Sequence, residues 1–456
     1  MKFIDYKKNV LILCILFICT GCSNEKSISS VNIQTEQQEN LVLGADGVAE
    51  TYSVSDQGIV YSKDNHVKYY DFSEEEAYIL CGRANCTHND ENCSAWCNSY
   101  IDTVGYALYQ DRFYLFRKNT KENTYDFISM DVTGNNQKVI TQIDIGEAEE
   151  GAWIAARLYN VYYYGDMAWI SVNYQYVTHK DEAQECVTYM GINLHDGKIS
   201  RINEPALTDT VYSMQGIVKG KPVLLKREAN LKILSESEFE SEYESGTFAG
   251  KMEESEDLYY DYLNIWYPRN CGYTDTYIIY EPISGKETML ETAPAFKTFD
   301  DNDNVTATLP KYIFLGEYNG NLLCEETDYT SYEKIFLWDI ENKKQEEILR
   351  IEEGGLIATE SGSILSVLYD SSKFLYCLYT EDERAKILEY DISERESRKL
   401  FEDERNISFR IIKEAQDVFI GKIYSFTGKE MKHNIYAISK EDYYKGNIKD
   451  AKRLKL

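Results

Sequence analysis

The chain has 456 residues, is 43% hydrophobic, holds 39 Tyr and 17 Phe against only 6 Pro, and carries a formal charge of −29. That apolar fraction suffices for a sizeable core, and aromatics in this abundance favour strands, where they pack across pleated surfaces. The acidity excludes nucleic acid as a partner, because such a chain repels phosphate backbones and shows no basic patch with interleaved aromatics.

The N-terminus reads as an export signal over residues 1–21. Lys2, Lys7 and Lys8 supply a basic start, and Val10 to Ile18 form an apolar run too short to span a bilayer. Cys19-Thr20-Gly21-Cys22 follows and has the form of a lipobox, small residues before a Cys that takes the lipid, with Cys19 where Leu is usual. Cys22 is thus expected to be lipidated, and the alternative is an ordinary cleaved signal with a chance Cys. Acyl chains contribute about 0.8 kcal/mol per buried methylene, so a multiply acylated Cys22 would anchor the chain firmly. The rest of segment 22–44 is polar and aperiodic and reads as a flexible tether.

From Gly58 onward one phrase recurs seven times. A turn residue leads into a short aromatic or β-branched run. A second run follows and ends at an Asp or another turn residue, and then comes a basic-to-apolar tail. The first copy has IVYS and HVKYYD ending at Asp71, and the second has FYLF and YDFISMD ending at Asp131. The third has MAWISV and a turn at His195-Asp196-Gly197, and the fourth has PVLL and TYIIYE. The last three centre on KIFLWD to Asp339, KILEYD to Asp391, and VFIGKIYSF with HNIYAI. A further apolar run stands upstream of most copies, such as YALY (106–109) and YIFLGEY (312–318). Each copy then supplies four short strands. Repeats of about 40–50 residues built only from strands indicate an all-β propeller. Seven blades of four antiparallel strands over residues 45–456 are expected, with six or eight blades, or two packed sandwiches, as alternatives. No stretch keeps a 3.6-residue period, so helices should be few.

Two interruptions break the pattern. The loop 81–97, CGRANCTHNDENCSAWC, gathers Cys81, Cys86, His88, Cys93 and Cys97. Three thiolates and an imidazole can close a tetrahedral shell around zinc with bonds of about 2.0–2.3 Å. Cys81, Cys86, His88 and Cys93 would form that shell. The alternative is disulfides among Cys81, Cys86, Cys93 and Cys97, for which three pairings exist. Either way the loop reads as a structural clip. The second interruption, 229–273, is acidic and reads as a solvated, partly disordered excursion. Asp300 to Asn304 lacks the Gly and closing Glu of a calcium loop and reads as a turn.

The Cys22 lipobox, the LCGRANCTHNDENC segment and the aromatic blade phrases together resemble β-propeller surface lipoproteins of the Gram-positive, clostridial type, over nearly the whole mature chain. The resemblance implies a surface-exposed propeller and supplies no catalytic residues. It also tilts the Cys loop towards metal, since such organisms make few disulfides.

No G-x-S-x-G, H-E-x-x-H or P-loop pattern occurs, and none of the five His stands beside a nucleophile motif. Ser55-Asp56-Gln57-Gly58 offers a single D-x-G without the rest of a sialidase box. The preferred reading is a lipid-anchored scaffold on the extracellular face of the cell membrane that binds a protein or glycan, without catalysis. Two alternatives stand beside it: a glycosidase using axial carboxylates, with Trp153, Trp169, Trp266 or Trp338 stacking sugars, and a purely structural envelope lipoprotein.

Overall fold

The computed structural model describes residues 41–456 apart from 46–51, 91, 98–101, 148, 150, 178–183, 207–209, 253–256, 283, 301–303, 328–331, 353–363, 368–372, 380–383, 405–408, 416 and 428–429. The signal segment, Cys22 and most of the expected tether lie outside the described residues, as does His179.

The chain forms a seven-bladed β-propeller. A short strand β1 (Val42–Gly44) precedes the ring. Blade 1 is β2 to β5 (Tyr52–Val54, Gly58–Lys63, His66–Asp71, Glu76–Ile79), and blade 2 is β6 to β9 (Thr103–Tyr109, Arg112–Asn119, Thr124–Asp131, Lys138–Asp144). Blade 3 is β10 to β13 (Trp153–Tyr164, Met167–Tyr176, Gln184–Asn193, Ile199–Arg201), and blade 4 is β14 to β17 (Thr210–Val218, Lys221–Ala229, Tyr273–Glu281, Lys286–Pro294). A hairpin, β18 (Phe296–Phe299) and β19 (Val305–Leu309), separates blade 4 from blade 5, which is β20 to β23 (Tyr312–Tyr318, Asn321–Thr327, Tyr332–Asp339, Lys344–Glu352). Blade 6 is β24 to β27 (Ile364–Val367, Lys373–Tyr379, Arg384–Asp391, Glu396–Glu404), and blade 7 is β28 to β31 (Phe409–Ala415, Val418–Thr427, Glu430–Ser439, Lys452–Arg453). Every blade is an antiparallel meander in chain order. The upstream runs of the sequence are the first strands, and those of neighbouring blades touch, β2 with β6 and β14 with β20 for example, which sets first strands at the axis.

Each of the seven blade-to-blade interfaces holds its own apolar cluster. A strand at the centre of a blade feeds both neighbours, because successive side chains point to opposite faces. Leu322 and Cys324 pack towards blade 4, and Leu323 between them packs towards blade 6. This is why the strands read as continuous apolar runs instead of alternating ones. Aromatics dominate the interfaces. Phe116 stacks on Phe127 with centroids 4.4 Å apart, and Trp338 lies 5.3 Å from Tyr312.

The recurring Asp has a physical role. The Asp71 carboxylate accepts from the Ser73 and Glu74 amides, Asp131 from Thr133 and Asn135, Asp339 from Glu341 and Asn342, and Asp391 from Ser393 and Glu394. Each closes the turn between the third and fourth strands, as an Asx turn does. Asn193 takes the same place in blade 3, accepting from the His195 and Asp196 amides.

The ring has two unlike faces. The turns joining first to second and third to fourth strands lie on one, here the turn face. Gln110-Asp111, Lys219-Gly220 and Asn319-Gly320 have positive φ at both residues, the two-residue hairpin that matches strand twist. In blade 7 this face also carries the helix Lys440–Tyr444. The loops between second and third strands and all inter-blade crossings lie on the other, here the crossing face. The Cys loop, the acidic insertion and the β18–β19 hairpin all emerge there.

Two expectations are revised. Residues 41–44 are not tether: β1 pairs with β10 (Val42 opposite Tyr163), and Ala45, just beyond, bridges Tyr106 of β6. A strand added inside the first strand of blade 3 runs along the axis of the ring. The described residues of the acidic insertion are folded, with helix α1 (Glu236–Glu244), the short turns α2 (Leu258–Asp261) and α3 (Tyr267–Asn270), and a π turn between them.

Gly105 has φ +67°, and a Cβ on it would lie 2.6 Å from Val161 Cγ2. Gly105→Ala should destabilise the ring by about 1–3 kcal/mol in chemical denaturation, from backbone strain plus overpacking. A pH dependence follows from the turns. Hydrogen bonds lower the Asp131 carboxyl (from Thr133 first) and Asp339 (from Asn342 first); at Asp391 slight burial pulls upward, and the bonds from Ser393 and Glu394 outweigh it. A folded-state value below the unfolded one gives stability that is present above the ordinary value of 3.8 and lost as pH falls through the lowered values. The melting temperature should therefore drop as pH is taken from 5 down to 2. A D131N/D339N/D391N variant, which keeps the turn acceptors without their titration, should show a shallower drop.

Candidate metal centre

Segment 81–97 crosses from the rim of blade 1 to the axial start of blade 2. Leu80, Cys93, Ala95 and Cys97 are buried in the blade 1–blade 2 core beside Val67, Phe113 and Met130. Between these anchors the backbone folds into successive tight turns: the Cys86 amide donates to Arg83 O (3.1 Å), Cys93 to Asp90 O (3.0 Å) and Trp96 to Cys93 O (3.1 Å). The chain is pinned from below, where the Cys97 amide donates to Asn65 O at 2.8 Å and the Trp96 ring meets His66 edge-on at 5.1 Å.

These turns bring together the four residues that the sequence singled out. The sulfurs of Cys81, Cys86 and Cys93 and a ring nitrogen of His88 all lie within 4.8 Å of one another, and His88 Nδ1 is 3.2 Å from Cys93 Sγ. Tetrahedral coordination with bonds of about 2.0–2.3 Å places ligand atoms roughly 3.3–3.8 Å apart, so the set needs only slight contraction to close on an ion. His88 has φ +55°, a left-handed conformation uncommon for a residue with a side chain, and its imidazole reaches the cysteines from that backbone.

The surroundings of Cys81 suit anionic sulfur, whereas those of Cys93 favour the neutral thiol. Burial raises the Cys81 thiol, but hydrogen bonds from the Ser94 side chain, the Arg83 and Ser94 amides and Cys86 outweigh it and bring the thiol down to about 6. Burial pushes Cys93 up to about 12, partly offset by the Ala95 amide. Arg83 and Ala95 each stand two residues after the cysteine they serve, so one local N–H···S arrangement occurs twice. Three thiolates around a divalent ion leave one net negative charge. Arg117 of β7 stands beside it, its Nη2 donating to Ser94 O at 2.7 Å. Burial lowers the Arg117 pKa, and Cys97 and Cys93 oppose that shift. A His66 ring nitrogen lies 2.9 Å from the His88 carbonyl oxygen and fixes the peptide behind the ligand. This Cys3His set could hold a metal ion.

Cys97, the fourth cysteine of the disulfide alternative, lies outside the set. Cys81, Cys86, Cys93, Cys97, Cys186, Cys271 and Cys324 form no disulfide with one another. Cys324 is a small buried hydrophobe; the Cys377 and His433 side chains lie outside the described residues. His195 pairs with Asp166 at 2.8 Å in the open on the turn face. Trp169 and Trp338 are core, Trp153 leans on Tyr176, and Trp266 packs on Phe248. Among the described residues the buried carboxylates are Asp275, Glu325, Glu326 and Glu389, all on second or third strands and none on an axial first strand.

The blade 4 excursion is the second notable feature of the crossing face. Ser235 caps α1, accepting from the Glu238 amide while the Glu238 carboxylate accepts from the Ser235 amide. Phe239, Phe248, Tyr262, Tyr267 and Cys271 form a separate small core. The excursion leans on the β18–β19 hairpin through Lys297 Nζ, which donates to Arg269 O at 2.9 Å. Below it, Arg227 holds the fully buried Asp275 by two bonds of 2.7 Å and donates to Thr308 O of the hairpin. Exposed large apolar side chains concentrate here. Leu231, Ile233, Tyr260 and Ile265 are on the insertion and Phe299 on the hairpin; elsewhere among the described residues they are Tyr78, Val132, Val139, Val211 and Met289.

Fold and site together define a seven-bladed propeller with a Cys3His cluster that could hold a metal at its first inter-blade crossing. No family model and no curated protein matches the chain. Solved structures similar to it include the acylaminoacyl peptidase of Pyrococcus horikoshii, at 12% identity and TM-score 0.33 over 74% of this chain and 43% of that one. The β-propeller domain of the Trilobed protease from Pyrococcus furiosus is similar at 8% identity and TM-score 0.42, over 89% and 95% of the two chains. TolB from Acinetobacter baumannii is similar at 9% identity and TM-score 0.30, over 84% and 76%. The chain thus spans less than half the length of the first of these. Similarities this distant carry nothing to the site, and the propeller rests on its own strand pairing.

Elemental analysis of the purified protein should find about one transition-metal ion per chain. His88→Ala and Cys93→Ser should each lose it, and Cys97→Ser should retain it. Asp275→Ala should lower stability by about 3–5 kcal/mol in denaturant titrations, because it leaves the Arg227 guanidinium without its counter-charge.

Proposed function

We propose that this protein is a lipid-anchored propeller on the extracellular face of the cell membrane that binds a protein or glycan through its crossing face. The observation that carries the reading is the concentration of exposed apolar side chains on one elaborated excursion. Leu231, Ile233, Tyr260, Ile265 and Phe299 project from an insertion with its own core and from the hairpin bonded to it. A rigid platform with exposed apolar groups among carboxylates is what a binding surface requires, and such patches mark interaction sites. Glu240 and Glu244 of α1, on the same insertion, are exposed, which favours a partner with basic as well as apolar groups.

Zinc is the metal that best suits the clip, since three thiolates and one imidazole in tetrahedral reach are its usual structural shell. Bound there, it would cross-link the loop and leave no open position for chemistry. Cys81, Cys86, His88 and Cys93 would hold it, and Arg117 would balance the charge.

The test uses the mature chain on glycan arrays and against extracellular protein fractions, beside an L231S/I233S/Y260S/I265S variant. The variant is first checked to fold by circular dichroism and thermal melting, since Leu231, Ile233 and Ile265 are only partly exposed. A ligand of the wild type should bind the variant at least about tenfold more weakly, the loss expected when exposed anchors are removed. Equal binding by both would refute the crossing face as the site.

A further inference from the structure

We infer that the path of β1 through the ring sets its orientation on the membrane, with the turn face towards the bilayer and the crossing face outward. The inference rests on the reading of Cys22 as the lipid anchor. It starts from strand direction. First strands run from the crossing face to the turn face, and β10 does so from Trp153 to Tyr164, ending at the Gly165–Asp166 turn. β1 is antiparallel to β10, with Val42 opposite Tyr163 and Gly44 opposite Val161. The chain therefore climbs from the turn face. Leu41, buried among the side chains between blades 3 and 4, stands level with the Gly165 turn. By Ala45, bonded to Gly105 and Tyr106, the chain has reached the middle of β6.

The entry is held in place. Tyr106 O accepts from the Ala45 amide at 3.1 Å, Ala45 O from the Gly105 amide at 2.6 Å, and Leu43 O from the Ser53 hydroxyl at 2.6 Å. A Cβ on Gly44 would sit 2.8 Å from the Gly105 carbonyl oxygen, so the backbones of β1 and β6 touch. Any tie to the membrane upstream of Leu41 thus acts at the axis of the turn face and not at the rim.

The reach of the chain decides between the two orientations. Residues 23–40 span at most ~60 Å when fully extended. To present the crossing face to the bilayer they would have to run from the axis to the rim, about 20 Å across four strands, and then down the side of a ring about 30 Å tall. That path consumes most of the available length, whereas the direct orientation requires none of it.

The experiment uses full-length lipidated protein in phosphatidylcholine vesicles containing an acceptor-labelled lipid. A donor dye is attached through an azide-bearing residue at Asp196 on the turn face or at Lys121 on the crossing face. Energy transfer from position 196 should exceed that from position 121 by at least about twofold, given faces about 30 Å apart and a tether with ~60 Å reach. Equal or reversed transfer would overturn the orientation. A twenty-residue Gly/Ser extension placed after Ser30 should shrink the difference, and an unchanged difference would also count against it. A Cys22→Ala variant should leave the vesicles; if it stays bound, the anchor reading fails independently of the orientation.

Discussion

Everything in this molecule follows from the need of each blade to bury both of its faces. A four-stranded sheet with apolar groups on either side cannot stand in water, and a neighbour on each side is the least elaborate remedy. Repeated around a circle, that remedy leaves no sheet face without cover. The seven apolar clusters are therefore not seven local cores but one constraint met seven times. The continuous apolar runs of the strands, the scarcity of helix and the aromatic excess all answer to it, because Tyr and Phe reach across the wedge between radiating sheets.

A ring so built has little tolerance for irregularity inside the blades and much at its edges. The Asx turns show the first half of this. They repeat because the third-to-fourth strand turn must reverse the chain within a few residues at a fixed radius, and a carboxylate or amide acceptor satisfies the amides that the reversal exposes. The Cys loop and the blade 4 excursion show the second half. Each leaves and rejoins the frame at fixed strand ends, and each brings its own means of cohesion. For the loop this is a run of tight turns anchored by the buried Cys93, Ala95 and Cys97. For the excursion it is a small aromatic core with a capping box.

The blades were legible because their signal is repetition, which survives variation in any single copy. The upstream runs such as YALY and YIFLGEY are the axial strands β6 and β20, and the phrase-ending Asp residues are the turn acceptors. The ligand set was legible because it lies within a few turns of chain. The insertion was not. Its aromatic anchors, Phe239, Phe248, Tyr262 and Tyr267, are spaced for a compact bundle of short turns with no regular period, and the surrounding carboxylates drown them in any average. The one local clue was Ser235-x-x-Glu238, a capping box set within a serine- and glutamate-rich run. β1 was hidden for a different reason. Val42–Gly44 is three residues long and owes its position to partners more than 60 residues away, so nothing near it in sequence announces a strand. The β18–β19 hairpin escaped notice because Asp300 to Asn304 looked like an isolated turn and not the tip of two paired strands.

The closure of the ring differs from that of the other interfaces. Among the described residues, blade 1 and blade 7 are each made of consecutive strands, and no strand of one is lent to the other. Their junction consists of Tyr52, Ile59, Tyr61 and Tyr70 against Ala415, Ile420, Ile435 and Leu454, with Lys452 on Glu75 at the margin. It is thus an association between two ends of one molecule, and its strength depends on the effective concentration that the intervening blades impose. Two complementary, non-identical faces are also the elements of a head-to-tail contact. A chain that missed its own closure would carry both halves of a sticky joint, and another such chain could satisfy them. The curvature set by seven wedges is what makes the first blade the nearest partner of the last, so the ring count guards against polymerisation as much as it defines a shape.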